Sequence, residues 1–395
     1  MTAFGGDEYF LAGAQDNGNQ LIAKASDGIN SSINVSGGDG AASFFDLDGT
    51  DRYFVTNYVY NSSIGFFNYD TRSPKLINSE EESNGDFINQ ADLDSNLNIL
   101  YTNYSVGNMY RLRRYSDLKG DVLKTILTDP IMNASPSVIK VSPYTSQSSK
   151  LYLGLKNGKL LVVSDANTVA QWTEITGDEF VGSISDIEFG RDENEIFVTM
   201  HNYGVQNIWY SDDGGISWSA KEGNFPDIPV KTILQNPLNR EEVIIGTDIG
   251  VWKTSNFMAI SPEWFQSYNG MSNVPVLDLD LRDDNTVFAA TYGRGIFSGK
   301  FTGVTASIKD VDNQMEDFTI FPTISDGNFT VYGDEKLKGV ELQIYSLKGQ
   351  KVYNKQLDFT IDKKIDIKTG LSSGIYLVNI IDSKNRKRSS RIIVK

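Results

Sequence analysis

The 395-residue chain is acidic, with a formal net charge of −15, no cysteine and a single histidine. The charge argues against nucleic acid and anionic membrane as partners, and the lack of cysteine excludes disulfides, thiolate metal sites and cysteine nucleophiles. One histidine, His201, cannot build a multi-histidine metal centre. No run of about 18 apolar residues occurs, so we expect no membrane span, and we expect no cofactor.

Seven short segments, taken in chain order, share the form of an apolar strand, a polar corner and a second strand. They are EYFLAGAQDNG from Glu8, RYFVTNYVYNSSIG from Arg52, ILYTNYSVG from Ile99, LYLGLKNG from Leu151, IFVTMHNYG from Ile196, VIIGTDIG from Val243 and VFAATYGRG from Val287. Their starts lie about 45 residues apart, which is the period of a four-stranded propeller blade. The repeats predict a β-propeller of about seven blades.

Within each repeat we name the strands A to D, starting from the innermost. Asp/Asn-rich hairpins such as SFFDLDGTD and LDLDLRDDN precede most of the seven segments, and they predict strand A with its turn to strand B. The chain enters at strand B of the first blade and leaves after strand C of the last, so both blades are predicted to be partial. Because MTAFGGDEYF also lacks the features of a signal peptide, we favour missing upstream sequence over closure of the ring by the two partial blades.

The stretch YSDDGGISW supplies the turn between strands C and D of the fifth blade. Its skeleton is formed by Ser211, Asp213, Gly215 and Trp218. Asp and Ser side chains bond backbone N–H groups in tight turns, and glycine accepts positive φ, so these residues predict a structural turn rather than a catalytic site. The spacing resembles the Asp-box (BNR-type) repeat of sialidase-like and xyloglucanase-like propellers. Degenerate copies end at Trp172 and Trp264.

The C-terminal segment differs in charge from the rest of the chain. From Glu316 onward basic residues outnumber acidic ones by four, which supports a domain boundary close to residue 310. About seven short strands joined by Gly/Asp/Lys turns predict a small immunoglobulin-like β-sandwich. FPTISDGNF, IYSLKGQKVY, LSSGIYLV and the closing RIIVK resemble the type A C-terminal sorting domain of the type IX secretion system. We therefore predict a propeller over 1–303, a linker over 304–317 and a sorting domain over 318–395.

The resemblance to the sorting domain implies delivery to the outer cell surface or secretion. Residues 318–395 would then be read by the type IX secretion machinery. Although DLDGTD, from Asp46 to Asp51, has the oxygen-rich composition of a calcium loop, it lies on a predicted A–B hairpin and lacks the glutamate at the twelfth position. We expect a plain turn there and no metal site.

The corners between strands B and C, together with the links from D to the next A, should surround the mouth of the central channel. The corners contribute the candidate ligand-binding residues Gln15, Asn57, Asn103, Lys156, His201, Asp248 and Arg294, and also Asp16. The links contribute Asp39, Asp86 and Asp227. Asp16, Asp39 and Asp86 come from neighbouring blades and could supply the pair of carboxylates that a glycosidase needs.

Three functions fit these residues. The first is an exported propeller that binds glycan or protein and is not an enzyme. The second is a glycoside hydrolase of the xyloglucanase-like class acting on an extracellular polysaccharide. The third is a structural scaffold for upstream domains. Aspartate is also the commonest turn residue, which favours binding over catalysis. A sialidase is disfavoured because only Arg294 is predicted at a mouth corner.

Overall fold

The computed structural model describes residues 8–24, 32–48, 51–79, 83–267, 270–271, 273–303, 318–333, 339–360, 362–382 and 387–395. Every regular secondary-structure element within these ranges is a β-strand, which confirms the predicted all-β class. The chain divides into two compact units, Met1–Val304 and Thr305–Lys395. The predicted linker, residues 304–317, lies outside the described residues.

The first unit consists of seven antiparallel sheets, which we number as blades in chain order. Blade 1 contains β1 (Phe10–Ala14), β2 (Gly18–Ile22) and β3 (Ser32–Ser36). Blade 2 contains β4 (Ser43–Phe45), β5 (Tyr53–Asn57), β6 (Ile64–Asn68) and β7 (Pro74–Asn78). Blade 3 contains β8 (Ala91–Asp94), β9 (Ile99–Asn103), β10 (Leu112–Ser116) and β11 (Leu123–Leu127).

The remaining blades follow the same order. Blade 4 contains β12 (Pro136–Val141), β13 (Leu151–Leu155), β14 (Leu160–Ser164) and β15 (Gln171–Glu174). Blade 5 contains β16 (Ile184–Phe189), β17 (Ile196–Met200), β18 (Ile208–Ser211) and β19 (Ser219–Ala220). Blade 6 contains β20 (Val230–Gln235), β21 (Val243–Thr247), β22 (Gly250–Thr254) and β23 (Trp264–Gln266). Blade 7 contains β24 (Val276–Leu281), β25 (Thr286–Thr291) and β26 (Gly295–Lys300).

The seven blades surround a central channel of about 1080 Å³, which is lined by the first strand of every blade. The first and last blades meet where Phe10 packs edge-to-face on Phe288, with ring centroids 4.6 Å apart. In the described residues, blades 1 and 7 have three strands each, whereas the five blades between them have four. The structure thus confirms a propeller of seven blades in which the first and last are partial.

Tight contacts between neighbouring blades explain the glycines in strand B of blades 4 and 6. A Cβ built on Gly154 would lie 2.4 Å from a methyl carbon of Ile184 in the next blade. A Cβ on Gly246 would lie 2.8 Å from Val276. Since these distances are shorter than any normal carbon–carbon contact, only glycine lets the sheets approach this closely.

Strand A carries a β-bulge near its start in blades 4 to 7. In two of these blades the residue after the bulge reaches the backbone of the next strand A. Asp186 Oδ2 accepts a hydrogen bond from Ile233 N at 2.9 Å. Thr232 Oγ1 accepts one from Leu279 N at 3.3 Å. The bulges therefore direct polar side chains toward the channel wall, where they connect successive blades.

The second unit contains two sheets. The three-stranded sheet is formed by β27 (Thr319–Phe321), β29 (Asn328–Tyr332) and β32 (Lys364–Lys368). The five-stranded sheet is formed by β28 (Ile324–Ser325), β34 (Lys387–Val394), β33 (Gly374–Ile381), β30 (Val340–Ser346) and β31 (Lys351–Leu357). Their alternating apolar residues, including Phe329, Val331, Leu342, Val378 and Ile392, form one buried core. This is the small sandwich that the sequence predicts.

Candidate binding face of the propeller

The B–C corners and the D–A links lie side by side, because backbone hydrogen bonds join them in blades 4, 5 and 7. Lys156 N donates to Ser135 O at 3.0 Å, and His201 N donates to Ser183 O at 3.0 Å. Tyr292 N donates to Pro275 O at 2.9 Å in blade 7. These bonds place the corners and links on one face of the propeller, which we call the mouth face.

Asp16 and Asp39 are brought together at the mouth face. Asp16 N donates to Asp39 Oδ1 at 2.9 Å, and Asp16 has a left-handed backbone conformation with φ of 62°. Gln15 and Asp16 are exposed, and Asp39 is half-buried. One Asp39 oxygen therefore stabilises the turn, while the Asp16 side chain remains accessible.

The third candidate carboxylate, Asp86, forms an ion pair across a blade junction. Lys156 Nζ lies 2.7 Å from Asp86 Oδ1, and both side chains are partly exposed. The link itself is shaped by Asn89, whose Oδ1 accepts from Asp86 N at 3.0 Å. The positive charge of Lys156 thus compensates the negative charge of Asp86, and the ion pair connects blade 3 to blade 4.

Asn57 and Asn103 lie beneath the surface of the mouth face. They are 5% and 0% exposed, respectively. Asn103 Oδ1 accepts from Ser105 N at 3.0 Å, and Asn57 Nδ2 donates to Ser62 O at 3.4 Å. Both amides hold the chain of their own corner, so a ligand would contact other residues first.

A second polar group lies at blades 5 and 6. His201 and Asp227 are exposed, and Asp248 is half-buried beside Lys231, whose Nζ lies 3.1 Å from Asp248 Oδ1. The surrounding protein and then Lys231 lower the pKa of His201, against the opposing charge of Asp248. His201 is therefore mainly neutral near pH 7. Asp227 Oδ1 accepts from Gly204 N at 2.7 Å.

Several exposed aromatic rings lie on the mouth face. Tyr203 is 68% exposed and Tyr292 is 71% exposed, each on a B–C corner. Phe87, on a D–A link, is 40% exposed and packs edge-to-face on Tyr60. Arg294 is exposed on the same corner as Tyr292. The sequence prediction did not include Tyr292 and Phe87, although their positions in TYGRG and GDF at a corner and a link would have indicated them.

The channel wall carries charged residues that the sequence prediction also missed. Lys140 Nζ lies 2.6 Å from Glu188 Oε2, and Asp92 Oδ2 accepts from Val141 N at 2.7 Å. Burial raises the pKa of Asp92 to about 6. Burial opposes protonation of Lys140, but the charge of Glu188 raises the pKa of this lysine overall. Charged residues at alternate positions of an apolar strand, as in SDIEF and LDLDL, were the available signal.

Asp278 occupies the position in blade 7 that Asp186 and Thr232 occupy in blades 5 and 6. The blade that follows round the ring is the three-stranded blade 1, and Asp278 remains accessible to channel water. Enclosure by the surrounding protein, followed by the negative charge of Asp280, raises the pKa of Asp278 to about 7. The charge that Asp278 contributes to the channel therefore depends on pH.

Two features are absent from the parts of the chain that the structure describes. There, no group of three or more acidic, histidine or cysteine side chains is arranged to hold a metal ion. Among the same residues no helix has the length and apolarity that a membrane crossing requires.

The opposite face carries the A–B hairpins and the C–D turns. In the turn from Ser211 to Trp218, Asp213 Oδ1 accepts from Ser211 Oγ at 2.8 Å and from Ser217 N at 2.9 Å. Trp218 Nε1 donates to Ile175 O in blade 4 at 3.0 Å. Gly215 has φ of 88°. These hydrogen bonds hold the turn together, and the bond from Trp218 joins it to blade 4.

One degenerate copy of this turn has the same hydrogen bonds. Thr254 Oγ1 donates to Asn256 Oδ1 at 2.8 Å, and Glu263 N donates to the same Oδ1 at 2.9 Å. Trp264 Nε1 donates to Lys221 O in blade 5 at 2.9 Å. Thr254 and Asn256 thus replace the serine and the aspartate without loss of the turn.

Comparison with known proteins identifies the second unit. Residues 319–395 match the family model of the secretion system C-terminal sorting domain. The second unit is a type IX sorting domain. No curated protein matches the chain in sequence. Since the sorting domain marks proteins that are secreted or anchored on the outer cell surface, the chain is an exported protein delivered by the type IX system.

Many solved structures are similar to the chain, and two of them follow. The β-propeller domain of Myceliophteria thermophila Cps50 (Swd1) aligns with a TM-score of 0.52 and 10% identity over 75% of this chain and 94% of that one, which supports the propeller fold alone. PorZ of Porphyromonas gingivalis, described as a surface component of the type IX secretion system, aligns over the whole chain with a TM-score of 0.37 and 15% identity. Our chain spans about half the length (51%) of that protein.

Proposed function

We propose that the propeller is the cargo that the sorting domain delivers, and that its mouth face binds a glycan or a protein outside the cell. The exposed rings of Tyr203 and Tyr292 carry this proposal. Rings on rigid corners offer a large contact area at a low cost in side-chain entropy, and a phenol adds a hydrogen-bonding group. We also propose an Asp-box type for the turn at 211–218, and domains at 1–303 and 318–395 joined by a linker at 304–317.

The polar residues beside the rings suit recognition more than catalysis. Gln15, Asp16, His201 and Arg294 are exposed and can donate or accept hydrogen bonds. Asp86 is paired with Lys156. The mouth therefore offers neutral, charged and ion-paired groups around aromatic rings, a composition typical of sites that bind sugars or protein loops.

The test uses the full chain on a panel of immobilised polysaccharides and cell-surface proteins. Tyr203→Ala and Tyr292→Ala should each weaken binding by about tenfold, as expected for the loss of an aromatic anchor. Ile260→Ala is the matched control, because Ile260 is 97% exposed on the opposite face. Binding that survives both tyrosine substitutions, or that Ile260→Ala also removes, would contradict the proposal.

The same panel tests hydrolysis, the alternative function. A glycoside hydrolase should release reducing ends from a bound polysaccharide, and Asp16→Asn, Asp39→Asn or Asp86→Asn should abolish the release without much change in affinity. Because Asp39 and Asp86 already accept structural contacts, we expect binding without release.

A further inference from the structure

The five-stranded sheet of the sorting domain has an edge that the described residues cover only in part. β34 pairs with β33 along its whole length, but on its other side β28 contributes only two residue pairs, to Ile393 and Val394. Ile393 N donates to Thr323 O on that side at 2.8 Å. Before Ile393, no described strand lies next to this edge of β34.

The backbone groups of Ser389 and Arg391 face this open side. In an antiparallel pair, the N–H and C=O groups of successive residues point alternately toward the partner strand and away from it. Because Ile393 N points toward β28, the groups of Arg391 and Ser389 point the same way, where the described residues place no strand to receive them. A sheet edge of this kind is a template for pairing with another chain.

A cavity of about 170 Å³ lies beside the open edge, between the two sheets. It is lined by Phe318, Thr319, Ile320, Ile380, Ser389 and Ser390. Phe318 and Ile380 are each 1% exposed. Ser390 continues the inward row of Ile392 and Val394, so a short hydroxyl side chain stands where an aliphatic one would fill the gap. A cavity of about 150 Å³ accommodates benzene, so this one has room for an apolar side chain.

The charge of the edge strand favours an acidic partner. The sequence of β34, KRSSRIIV, contains three basic residues and no acidic one. Arg391 is exposed, and because it alternates with the buried Ile392 it lies on the outer face of the sheet. Opposite charges on neighbouring strands attract each other across a sheet, so a strand with acidic residues on its outer face suits this position.

We propose that the open edge of β34 binds an extended strand of a partner protein in which acidic and apolar residues alternate. The backbone of the partner strand pairs with Ser389 and Arg391, as in other cases of β-strand addition. Its apolar residues face inward, where one of them enters the cavity, and its acidic residues face outward beside Arg391. The site belongs to the second unit, so its test is independent of binding at the mouth face of the propeller.

The experiment measures the binding of a fluorescent peptide of alternating aspartate and valine to the full chain by anisotropy. One control peptide has the same sequence with methylated backbone nitrogens, which cannot donate hydrogen bonds to the edge. A second control peptide has lysine in place of aspartate. Both controls should bind at least about tenfold more weakly than the parent peptide, because the first loses the backbone pairing and the second repels the basic edge.

Substitutions in the protein test the same contacts. Arg391→Glu should weaken binding of the peptide about fivefold, because it replaces an attraction by a repulsion. The matched control is Lys355→Glu, since Lys355 is exposed on β31 at the opposite edge of the same sheet. That variant should retain the affinity. Ser390→Leu fills the cavity, so it should weaken binding about tenfold without lowering the thermal midpoint.

Three results would overturn the proposal. They are no binding of the peptide at about 1 mM, equal binding of the methylated peptide, and equal losses in Arg391→Glu and Lys355→Glu. Sedimentation of the chain alone gives a further test, because a dimer that Arg391→Glu dissociates would assign the edge to a second copy instead. If Ser390→Leu fails to fold, the methylated peptide and the two charge variants still decide.

Discussion

The two faces of the propeller are built from different interactions. On the face of the A–B hairpins and C–D turns, buried ionic groups connect successive blades, and Glu195 is the clearest example at 2% exposure. On the mouth face, aromatic rings are exposed and the ion pair of Lys156 with Asp86 is open to water. Buried charges must be paired, whereas exposed groups contribute little to stability. One face therefore holds the ring together, and the other can vary with the ligand.

Glu195 should be the most sensitive position on the face of the A–B hairpins and C–D turns, which we call the hairpin face. It accepts from Arg191 Nη2 at 2.6 Å and also bonds Arg240 of blade 6. Glu195→Ala leaves both guanidinium groups without their acceptor, so we expect a loss of about 2–3 kcal/mol in the free energy of unfolding. Chemical denaturation measures it. The control, Asp70→Ala, breaks the exposed pair with Arg52 and should cost less than about 1 kcal/mol.

The Glu195 contribution should also depend on pH. Burial alone would raise the pKa of Glu195, but the hydrogen bonds from Arg191 lower it overall. A lowered carboxyl pKa stabilises the fold above the unfolded value of about 4.3, and the contribution is lost as the pH falls through the folded value. The difference between parent and Glu195→Ala should therefore shrink in acid. A constant difference at every pH would contradict this account.

The next largest loss of stability should come from a substitution in the C–D turn of blade 5. Asp213→Ala removes the acceptor of Ser217 N and Ser217 Oγ, and we expect a cost of about 1–2 kcal/mol. Asp213→Asn should cost less, because Asn256 accepts the equivalent bonds in blade 6. The neighbouring Asp212 is exposed, so Asp212→Ala is the matched control. Equal costs for the two alanine variants would contradict a structural role for Asp213.

The repeated strands were predictable from sequence because their pattern is local. The burial or exposure of several site residues was not predictable, because it depends on the folded chain. Runs such as YFVTN and IFVTM show their strand character locally, and YSDDGGISW contains the Ser211, Asp213 and Ser217 groups that bond one another within its turn. Burial of Asn57 and Asn103 depends on how each corner folds over its own amide, which composition does not reveal. Asp278 is exposed, and composition does not reveal which strand-A side chains the assembled ring leaves accessible.

Substitution of Asp278 should have a smaller effect on stability, and the effect should depend on pH in the opposite sense to that of Glu195. Because enclosure by protein and the charge of Asp280 raise its pKa to about 7, the folded state binds this proton more tightly than the unfolded chain. The stabilisation is present at low pH and is lost as the pH rises toward 7. Asp278→Asn should therefore raise the thermal midpoint above about pH 7 and leave it unchanged near pH 4. Asp186 and Lys140 also face this group, so their protonation must be constant across the comparison.

The smallest effect should come from the mouth face, and a matched pair of lysines measures it. Lys150 Nζ lies 2.6 Å from Glu193 Oε2 on the hairpin face, where the side chains are 26% and 23% exposed. Lys156 makes an equivalent pair with Asp86 on the mouth face, at 47% and 30% exposure. Ion pairs weaken as water reaches them, so Lys150→Ala should cost about 1–2 kcal/mol and Lys156→Ala less than about 1 kcal/mol.

The two lysine variants should also differ in their effect on the affinity for a ligand. Lys156→Ala leaves Asp86 as an uncompensated carboxylate beside the aromatic corners, so it should change affinity for a bound glycan or protein although stability barely moves. Lys150→Ala lies on the other face and should leave affinity unchanged. If Lys156→Ala instead destabilised the fold as strongly as Lys150→Ala, the mouth pair would be part of the scaffold. The proposed division between a hairpin face that stabilises the fold and a mouth face that binds the ligand would then be wrong.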